Sequence, residues 1–363
     1  MMRKNYIDNL RNITILLLFP VHTFMIWNDF GFKFYIWQGE NRLLSTLIVL
    51  LNPWFMPMLF VLAGMSARYA LKKRSNKEFI MERIHKLLIP FICGLVLLVP
   101  FQTLFARKFF DAYAGGLFEH WKYFFTHLTD FNGYDGAFTP GHLWFILFLF
   151  IISMFCLLVF RFIPYQKVEK RLEKLPVWGI VLLCVPIWLM YYLGNFGSFS
   201  LGKNLILFLL GYYLLSNDVV VDRIEKNIKW LVALWAIGTI TSVLLYYNFS
   251  YYGDLWICFI GWITILVFLV LGKKFLNKRT SFTEYFNHSS FSIYILHQSI
   301  LVALAYYVVQ LSDVLLVQIF SICIGSFLLT VLAYHFIRLL PIVRKMIGVQ
   351  TPYVHKYARK NED

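Results

Sequence analysis

The sequence predicts an all-α polytopic membrane protein with about ten transmembrane helices, and three observations support this prediction. Of its 363 residues, 60% are hydrophobic and only 15% are charged, whereas ordinary globular chains carry about a quarter charged residues. The mean hydropathy is high, at +0.65. Apolar runs of about 20 residues, the length of a membrane-spanning helix, recur along the chain. These features exclude an extended disordered protein and a water-soluble enzyme.

Ten apolar segments are predicted to span the membrane. In chain order they are 13–30, 45–67, 87–106, 142–163, 177–193, 203–216, 228–247, 254–272, 291–311 and 314–337. Arg3 and Lys4 precede the first segment as in a secretory signal. Pro20 interrupts that segment and no small-residue cleavage pattern follows it, so we expect it to be retained as the first span. Segment 203–216 is the weakest, because it is short and contains Lys203.

Lysine and arginine are distributed unevenly between alternate connections. Of the 34 such residues, 28 lie in the two terminal segments and in every second connection, and six lie in the others. Because Lys and Arg are retained on the cytoplasmic side of a membrane, we predict that both termini are cytoplasmic. The net charge of +15 then follows mostly from topology, so we expect no nucleic-acid partner. The prediction is one transmembrane domain over residues 1–337 and a basic cytoplasmic tail over 338–363.

Other residue types narrow the function. The five cysteines occur singly and form no CxxC pair, so we expect neither a disulfide framework nor a metal site. No Asp or Glu lies well inside a span, which weakens the interpretation as a proton-coupled transporter. The connection 107–141 is long and aromatic, and we expect it to fold over the outer mouth of the bundle.

Arg11 and His22 are the most informative pair of the first span. Eleven residues are three helical turns, so the two side chains share one face, about 16 Å apart along the axis. A buried, neutral imidazole can accept a proton from a hydroxyl group, as a general base does. The residues alone leave a second interpretation open, in which His22 makes a hydrogen bond within the bundle and Arg11 anchors the helix at the interface.

Several motifs resemble those of the membrane-bound acyltransferase-3 family. Arg11-x10-His22 resembles the first-helix motif of that family. Further resemblances lie in Leu59 to Met65, in Phe79 to Pro90, in His142-Leu-Trp-Phe and in Ser292-Ile-Tyr-Ile-Leu-His297. Together they cover nearly the whole chain, and their order and spacing are fairly specific.

Two positions depart from the family pattern. The second arginine of its R-x-x-R motif is Lys86 here, and a serine of its second helix is Ala63. Lysine keeps the charge but lacks the bidentate fork with which arginine holds a phosphate group, so the role of Lys86 is less secure than that of Arg83.

The resemblance implies an O-acyltransferase domain in the plasma (inner) membrane of a bacterium. It implies acetyl-CoA or another acyl-CoA as co-substrate on the cytoplasmic side and a glycan or sugar acceptor on the outer side, with no metal. Arg11, Arg83 and Lys86 would hold the phosphate groups of the CoA. His22 would act as general base or would carry the acyl group as an acyl-imidazole.

Four further residues are candidate accessory groups. His142 begins the fourth span beside the aromatic connection and is a candidate for orienting a sugar hydroxyl. Trp144 is better explained by the aromatic belt of a membrane interface than by a role in the site. His297 lies about two turns into the ninth span, with Tyr294 nearby, and there it is either a second catalytic group or a polar bridge between helices.

Two other functions stay open at the level of sequence. A transporter or flippase for a glycolipid or polysaccharide would use the histidines only to line a passage. A non-catalytic membrane protein of envelope assembly would not need His22 at all. The acceptor, the acyl chain and the oligomeric state do not follow from the sequence, because acceptor contacts would lie in variable loops.

Overall fold

The protein is described by a computed structural model covering residues 4–129, 131–196, 199–250 and 253–348. Helices dominate this part of the chain. They are α1 (Asn5–Leu16), α2 (Leu18–Phe24), α3 (Arg42–Leu51), α4 (Phe55–Leu71), α5 (Asn76–Arg83), α6 (Ile89–Leu97), α7 (Val99–Phe110), α8 (Leu117–Thr126), α9 (Trp144–Phe162), α10 (Tyr165–Lys174), α11 (Val177–Val181), α12 (Cys184–Leu189), α13 (Leu201–Leu210), α14 (Asp218–Lys226), α15 (Ile228–Phe249), α16 (Asp254–Phe275), α17 (Ser281–Leu311), α18 (Leu315–Arg338) and α19 (Pro341–Met346).

Short irregular elements join these helices. Three 3₁₀ turns cover Met25–Trp27, Gly141–Leu143 and Met190–Tyr192, and two π-helical turns cover Ile84–Leu88 and Gly211–Leu215. Two strands of two residues each, β1 (Asn195–Phe196) and β2 (Phe199–Ser200), pair antiparallel with Asn195 opposite Ser200. The predicted all-α fold is therefore confirmed.

Eight helical segments of the described chain are long and apolar enough to cross a membrane. They are Asn5–Trp27, Arg42–Leu71, Asn76–Phe110, Gly141–Phe162, Ile228–Phe249, Asp254–Phe275, Ser281–Leu311 and Leu315–Arg338. Two bent pairs raise the number to ten if each is one span: Tyr165–Lys174 with Val177–Tyr192, bent by 119°, and Leu201–Leu215 with Asp218–Lys226, bent by 91°. The predicted segments 177–193 and 203–216 correspond to the apolar halves of these pairs.

The first and ninth spans begin earlier than predicted. The first helix begins at Asn5 rather than at residue 13, because its polar side chains find partners inside the bundle. Asn9 donates to the carbonyl oxygens of Leu276 (2.6 Å) and Lys278 (2.9 Å). The ninth begins at Ser281 rather than at residue 291, where the Thr280 side chain caps the helix. Satisfied polar groups thus extend both helices beyond their apolar parts.

Connections that were predicted to share the cytoplasmic side contact one another. Lys4 near the N-terminus forms an ion pair with Asp218. Lys273 lies 2.6 Å from Asp222 and 2.6 Å from Glu225. These ion pairs join the N-terminal segment, the start of α14 and the end of α16 on one face. The tail is described only to residue 348, and the rest of the predicted 338–363 segment lies outside the described residues.

A second set of contacts joins connections of the opposite side. Arg42 lies 2.8 Å from Asp29, and the Tyr246 hydroxyl donates to the same carboxylate. Burial alone would raise the pKa of the Asp29 carboxyl, but hydrogen bonds involving Ser45, Tyr246 and Arg42 outweigh it and hold the pKa below its ordinary value. This cluster fixes the end of α15 to the first two spans.

Two glycines let the second span approach α13 and the π-turn that follows it. A Cβ atom on Gly64 would lie 2.0 Å from the carbonyl oxygen of Phe208, and one on Gly211 would lie 2.1 Å from that of Val61. No larger residue fits at either contact, and small residues of this kind allow close packing of helices in membranes. The Leu59–Met65 motif therefore has a packing role around Gly64.

The π-turn Ile84–Leu88 widens the third span just after Arg83. The amide of Ile89 donates to the carbonyl of Ile84, five residues earlier. Pro90 follows at once, and a proline has no N–H to donate and clashes with the carbonyl four residues before it. The wider turn accommodates Pro90 without breaking the helix, and such turns are frequent at functional sites.

Candidate active site

Three histidines that are remote in sequence come together in the centre of the bundle. We call His22 of α2, His142 of the 3₁₀ turn before α9 and His297 of α17 the histidine cluster. The ring centroids of His22 and His297 are 5.4 Å apart, and those of His142 and His297 are 5.1 Å apart. Three of the predicted site residues thus form one group, although His142 was predicted only as an acceptor-side residue.

Backbone carbonyls determine which nitrogen is protonated in two of these rings. Nδ1 of His297 lies 2.5 Å from the carbonyl oxygen of Tyr294, and Nε2 of His142 lies 2.8 Å from that of Ile295. A carbonyl oxygen only accepts, so each of these nitrogens must donate. In the neutral rings the lone pair therefore lies on Nε2 of His297 and on Nδ1 of His142.

Both of these lone pairs are buried and lack a partner among the described residues. The same holds for Nδ1 of His22. Buried polar atoms in proteins are almost always hydrogen-bonded, and exceptions require an explanation such as a catalytic role or a bound molecule. Three such atoms in one cluster can accept protons or hydrogen bonds from a hydroxyl group that enters between the rings.

Aromatic side chains hold the histidine cluster in place. Phe34 stacks on His22 with ring centroids 5.9 Å apart and planes 6° from parallel. Phe19 meets the ring of His297 edge-on at 5.6 Å. The Tyr294 hydroxyl donates to the backbone carbonyl of His142, which ties the 3₁₀ turn to α17. His22 therefore contacts protein rather than lipid on the sides of Phe34 and His297.

Further buried polar atoms surround the cluster. Oγ of Ser292, Oε1 of Gln298 and both amide atoms of Gln102 are buried without a hydrogen-bond partner among the described residues. Gly141 packs directly on Gln102, since a Cβ atom there would lie 2.8 Å from its Nε2. The centre of the bundle is thus polar enough to receive a hydrogen-bonding ligand.

Basic side chains form a second group in the N-terminal parts of the first and third spans. Arg11 lies 2.9 Å from Asp8 and donates to Oγ of Ser66 at 2.9 Å. Arg83 interacts electrostatically with Arg11 and with Arg74, and its Nε is buried without a partner among the described residues. We call Arg11, Arg74, Arg83 and Lys86 the arginine cluster.

Glu82 balances part of this positive charge. Its carboxylate lies 2.8 Å from Nζ of Lys86 and also pairs with Arg74. Lys86 is half exposed, whereas Arg83 is mostly buried against the ring of Phe79, whose centroid lies 4.6 Å from its guanidinium carbon. The Glu82 carboxylate therefore pairs with Lys86, and an incoming phosphate group would have to displace it. Arg83 forms no such ion pair among the described residues.

Buried polar side chains connect the level of the arginine cluster with that of the histidine cluster. Asn12, next to Arg11, donates to Asn287 at 2.8 Å. Three buried serines follow on α17 in the direction of His297, namely Ser289, Ser290 and Ser292. Arg11 and His22 make no direct contact, as their spacing predicts, and these residues lie along the stretch between them.

Of the four predicted accessory residues, Trp144 stays apart from the histidine cluster. Trp144 stacks on Phe199 with ring centroids 4.1 Å apart and also packs near Phe60. Sequence reasoning did not single out Phe34, Ser66 or Glu82. Of these, Glu82 had a detectable signal, because it lies four residues before Lys86 on a helix, the spacing of an ion pair.

The aromatic connection 107–141 folds around a different histidine. His120 of α8 is buried; its Nε2 lies 2.9 Å from Thr103 Oγ1, and its Nδ1 faces Arg107 Nη1 at 3.4 Å. Burial, and secondarily the charge of Arg107, lower the pKa of His120 to about 4. Because both ring nitrogens have partners, this histidine is explained by packing alone.

Neither a metal site nor a second candidate site emerges elsewhere in the described ranges. No group of three or more His, Cys, Asp or Glu in them is placed to hold a metal ion. An open cavity of about 550 Å³ lies beside Pro176, Trp178, Arg223 and Trp230. None of the predicted site residues lines that cavity.

Comparison with known proteins supports one family. The model of a family described as an acyltransferase domain matches residues 4–335. The chain is similar to proteins named glucans biosynthesis protein C from Escherichia coli K12 and Escherichia coli O157:H7. Each is 22% identical to it over 331 residues, which cover 81% of this chain and 81% of the relative. No solved structure matches the chain significantly.

Proposed function

The chain belongs to the membrane-bound acyltransferase-3 family, and from this premise we propose that it O-acetylates a glucan or related glycan at the outer face of a bacterial plasma membrane. Acetyl-CoA in the cytoplasm is the proposed donor. Membership of the family and the multiple spans make the chain a multi-pass membrane acyltransferase. The names and bacterial source of its relatives support the glucan acceptor and the plasma membrane.

The arginine cluster is the proposed site for the phosphate groups of the donor. Phosphate oxygens form strong charge-assisted bonds with guanidinium groups, and Glu82 attracts Arg83, whereas Arg11 and Arg74 repel it. A CoA phosphate would relieve that repulsion and would supply a partner for the buried Nε of Arg83. The excess of Lys and Arg in the connections of this side supports its assignment to the cytoplasm.

The histidine cluster is the proposed reaction centre, and the three unpaired ring nitrogens carry this assignment. In direct transfer, His22 takes the proton of the acceptor hydroxyl as its oxygen attacks the thioester carbonyl. The carbon–sulfur bond breaks, an ester bond forms, and the CoA thiolate leaves and takes up a proton. In a two-step route, a ring nitrogen of His22 attacks the thioester carbonyl, and CoA leaves as the thiol with the proton that the imidazole gives up. The acceptor hydroxyl then takes the acyl group as the nitrogen–acyl bond breaks, and its proton returns to the imidazole. In both routes His297 and His142 accept hydrogen bonds within the centre.

Substitution of His22 tests the proposal. We expect His22→Ala in the purified full chain to lose acetyl transfer by a factor of about 10²–10⁴, the range for removal of a general base. CoA release and acetylated glucan, measured by thiol assay and mass spectrometry, report the reaction. His335→Ala is the matched control, because His335 is exposed on α18.

Two results would contradict the proposal. A properly inserted His22→Ala protein with wild-type turnover would show that His22 is not the base. Absence of any acetyl-CoA-dependent thermal stabilisation of the wild type would favour a transporter or a non-catalytic protein instead. If acetyl-CoA stabilises the His22→Ala variant as it does the wild type while the variant loses turnover, the result supports the proposed enzymatic function.

A further inference from the structure

A continuous series of aromatic rings leads from the histidine cluster to the surface of the protein. Phe34, which stacks on His22, meets Tyr134 at 5.6 Å between ring centroids. Tyr134 stacks on Phe32 at 6.2 Å with planes 5° from parallel, and Phe32 lies 6.0 Å from Phe30. The burial of the rings decreases from Phe34, which is 3% exposed, through Tyr134 to Phe32, which is 44% exposed.

The outer end of this series faces water rather than lipid. Gly31 and Lys33, the neighbours of Phe32, are exposed, as is Asp135, the neighbour of Tyr134. A lysine and an aspartate at the same level are incompatible with the hydrocarbon core of a bilayer. The ion pair between Asp29 and Arg42 lies in the same connection. Among such residues, the exposed ring of Phe32 is available to a water-soluble ligand, and Tyr134 beside it is partly exposed.

The two segments that carry the rings are held by backbone bonds. The amide of Gln38 donates to the Ile26 carbonyl at 2.9 Å, and that of Asn41 donates to the Trp27 carbonyl at 2.8 Å. The Tyr35 hydroxyl donates to the Asn132 carbonyl at 3.1 Å, which links the first connection to the segment of Tyr134. The rings are therefore part of an ordered surface.

We propose that Phe32 and Tyr134 form an acceptor subsite that binds a hexopyranose ring of the glycan by stacking. This inference rests on the proposed function. Sugar rings present an apolar C–H face that packs on aromatic rings, while their hydroxyl groups stay hydrated or bind polar neighbours. The occupant follows from proximity: Tyr134 contacts Phe34 and Phe34 contacts His22, so a glycan held at this surface lies next to the proposed reaction centre.

Phe34 has a separate part in this arrangement. It is buried between the subsite and His22, so it cannot stack on a sugar at the surface. It is a positioning residue that holds the imidazole of His22 facing the incoming hydroxyl. Substitution of Phe34 is expected to lower kcat, whereas substitution of Phe32 or Tyr134 is expected to raise the KM for the glycan.

The subsite can be tested with glucose oligosaccharides of increasing length and the purified full chain. Saturation-transfer NMR measures contact between sugar protons and the protein without any need for turnover. We expect Phe32→Ala and Tyr134→Ala each to weaken glucan binding by about three- to tenfold, the value of one aromatic contact. The KM for acetyl-CoA is expected to be unchanged, and Phe32→Trp is expected to retain binding.

Phe118→Ala is the matched control, because Phe118 is 92% exposed in the nearby connection but is outside the ring series. Equal binding by the wild type and a Phe32→Ala/Tyr134→Ala double variant would overturn the inference, as would an equal loss in Phe118→Ala or no sugar signal in the wild type. Failure of the proposed function is distinguishable, since then the sugar would bind through Phe32 and Tyr134 without any acetyl transfer.

Discussion

The histidine cluster and the arginine cluster differ in burial, in charge and in how far their polar atoms are already paired. His142 and His297 are buried, the carbonyls of Ile295 and Tyr294 determine their tautomers when the rings are neutral, and three nitrogens of the cluster have no partner in the part of the chain that the structure describes. The arginine cluster is charged and partly exposed, and much of its charge is already paired with Asp8 or Glu82. We expect the histidine cluster to accept a proton from a ligand and the arginine cluster to exchange a carboxylate for a phosphate group.

This difference fits the roles proposed for the two clusters in binding the two substrates. Ion pairs at a surface are weak and exchange readily, which suits a phosphate-bearing donor that must bind and leave. A buried ring bonded to a backbone carbonyl cannot reorient without breaking that bond, which suits a reaction centre that must hold its geometry. We therefore expect substitutions in the histidine cluster to change kcat and those in the arginine cluster to change the KM for the donor.

The largest predicted effect beyond His22 is at His297. His297→Gln removes the ring and its unpaired Nε2, and we expect kcat to fall by about 100-fold with little change in the KM for acetyl-CoA. Steady-state kinetics measure both values. His297→Asn distinguishes the roles, because its amide can still donate to the Tyr294 carbonyl. Recovery of kcat in the asparagine variant would mean that His297 only supports the fold.

Arg83 provides the corresponding test for the arginine cluster. Arg83→Ala removes a mostly buried guanidinium, and we expect the KM for acetyl-CoA to rise by about 10- to 100-fold, the equivalent of one charge-assisted hydrogen bond. Arg279→Ala, in another basic connection, is the control. The contrast between the two clusters breaks down if Arg83→Ala lowers kcat and leaves the KM unchanged.

A smaller effect in the opposite direction is predicted for Glu82. Glu82→Gln removes the negative charge that pairs with Lys86 and Arg74, so a CoA phosphate no longer competes with it. We expect the KM for acetyl-CoA to fall by about threefold, and more at low salt than at high salt. Glu284→Gln, which disrupts an exposed pair with Arg279, controls for the loss of surface charge. An increase in KM would show that Glu82 organises the cluster.

The smallest effect concerns a histidine that lies outside both clusters. His120 has a pKa of about 4 instead of 6.5. As the pH falls, His120 is therefore protonated in the unfolded chain before it is protonated in the folded chain. Its contribution to the free energy of unfolding is complete above pH 6.5 and is lost as the pH falls from 6.5 towards 4. Thermal unfolding at several pH values should show this loss in the wild type and less of it in His120→Gln.

The control for that experiment is His127→Gln, because His127 is exposed and immediately follows the same short helix. Its pH dependence is expected to follow the wild type. An identical pH profile for the wild type and His120→Gln would mean that this histidine is not held neutral. It would also remove the distinction between a histidine with partners on both nitrogens and the three with unpaired nitrogens.

Hydropathy predicted most of the fold, because spans are chosen by the same transfer free energy that hydropathy measures. Its errors lie where tertiary contacts replace water. Asn9 and Asn12 are polar, yet both lie in the first helix because carbonyls and Asn287 take their hydrogen bonds. The bends of 119° and 91° beside the predicted spans 177–193 and 203–216 were also beyond a prediction from composition.

The site was predictable in its residues but not in its grouping. The motifs pointed to His22, His142 and His297 one by one, and the spacing of Arg11 and His22 assigned them to different depths. His142 meets His297 only because of the way the fourth span packs against the ninth. A single sequence does not reveal that packing. The same is true of Phe34, which acquires its place only because the first connection folds back over His22.

The π-turn before Pro90 amounts to one residue inserted into a regular helix. The insertion changes the rotation of every residue after it, so the side chains of α6 face their neighbours only while the extra residue is present. Deleting a single codon between Arg83 and Pro90 would restore ordinary spacing and would turn the whole following helix relative to the bundle. In this stretch, selection should therefore act more strongly against changes of length than against exchanges of one amino acid for another.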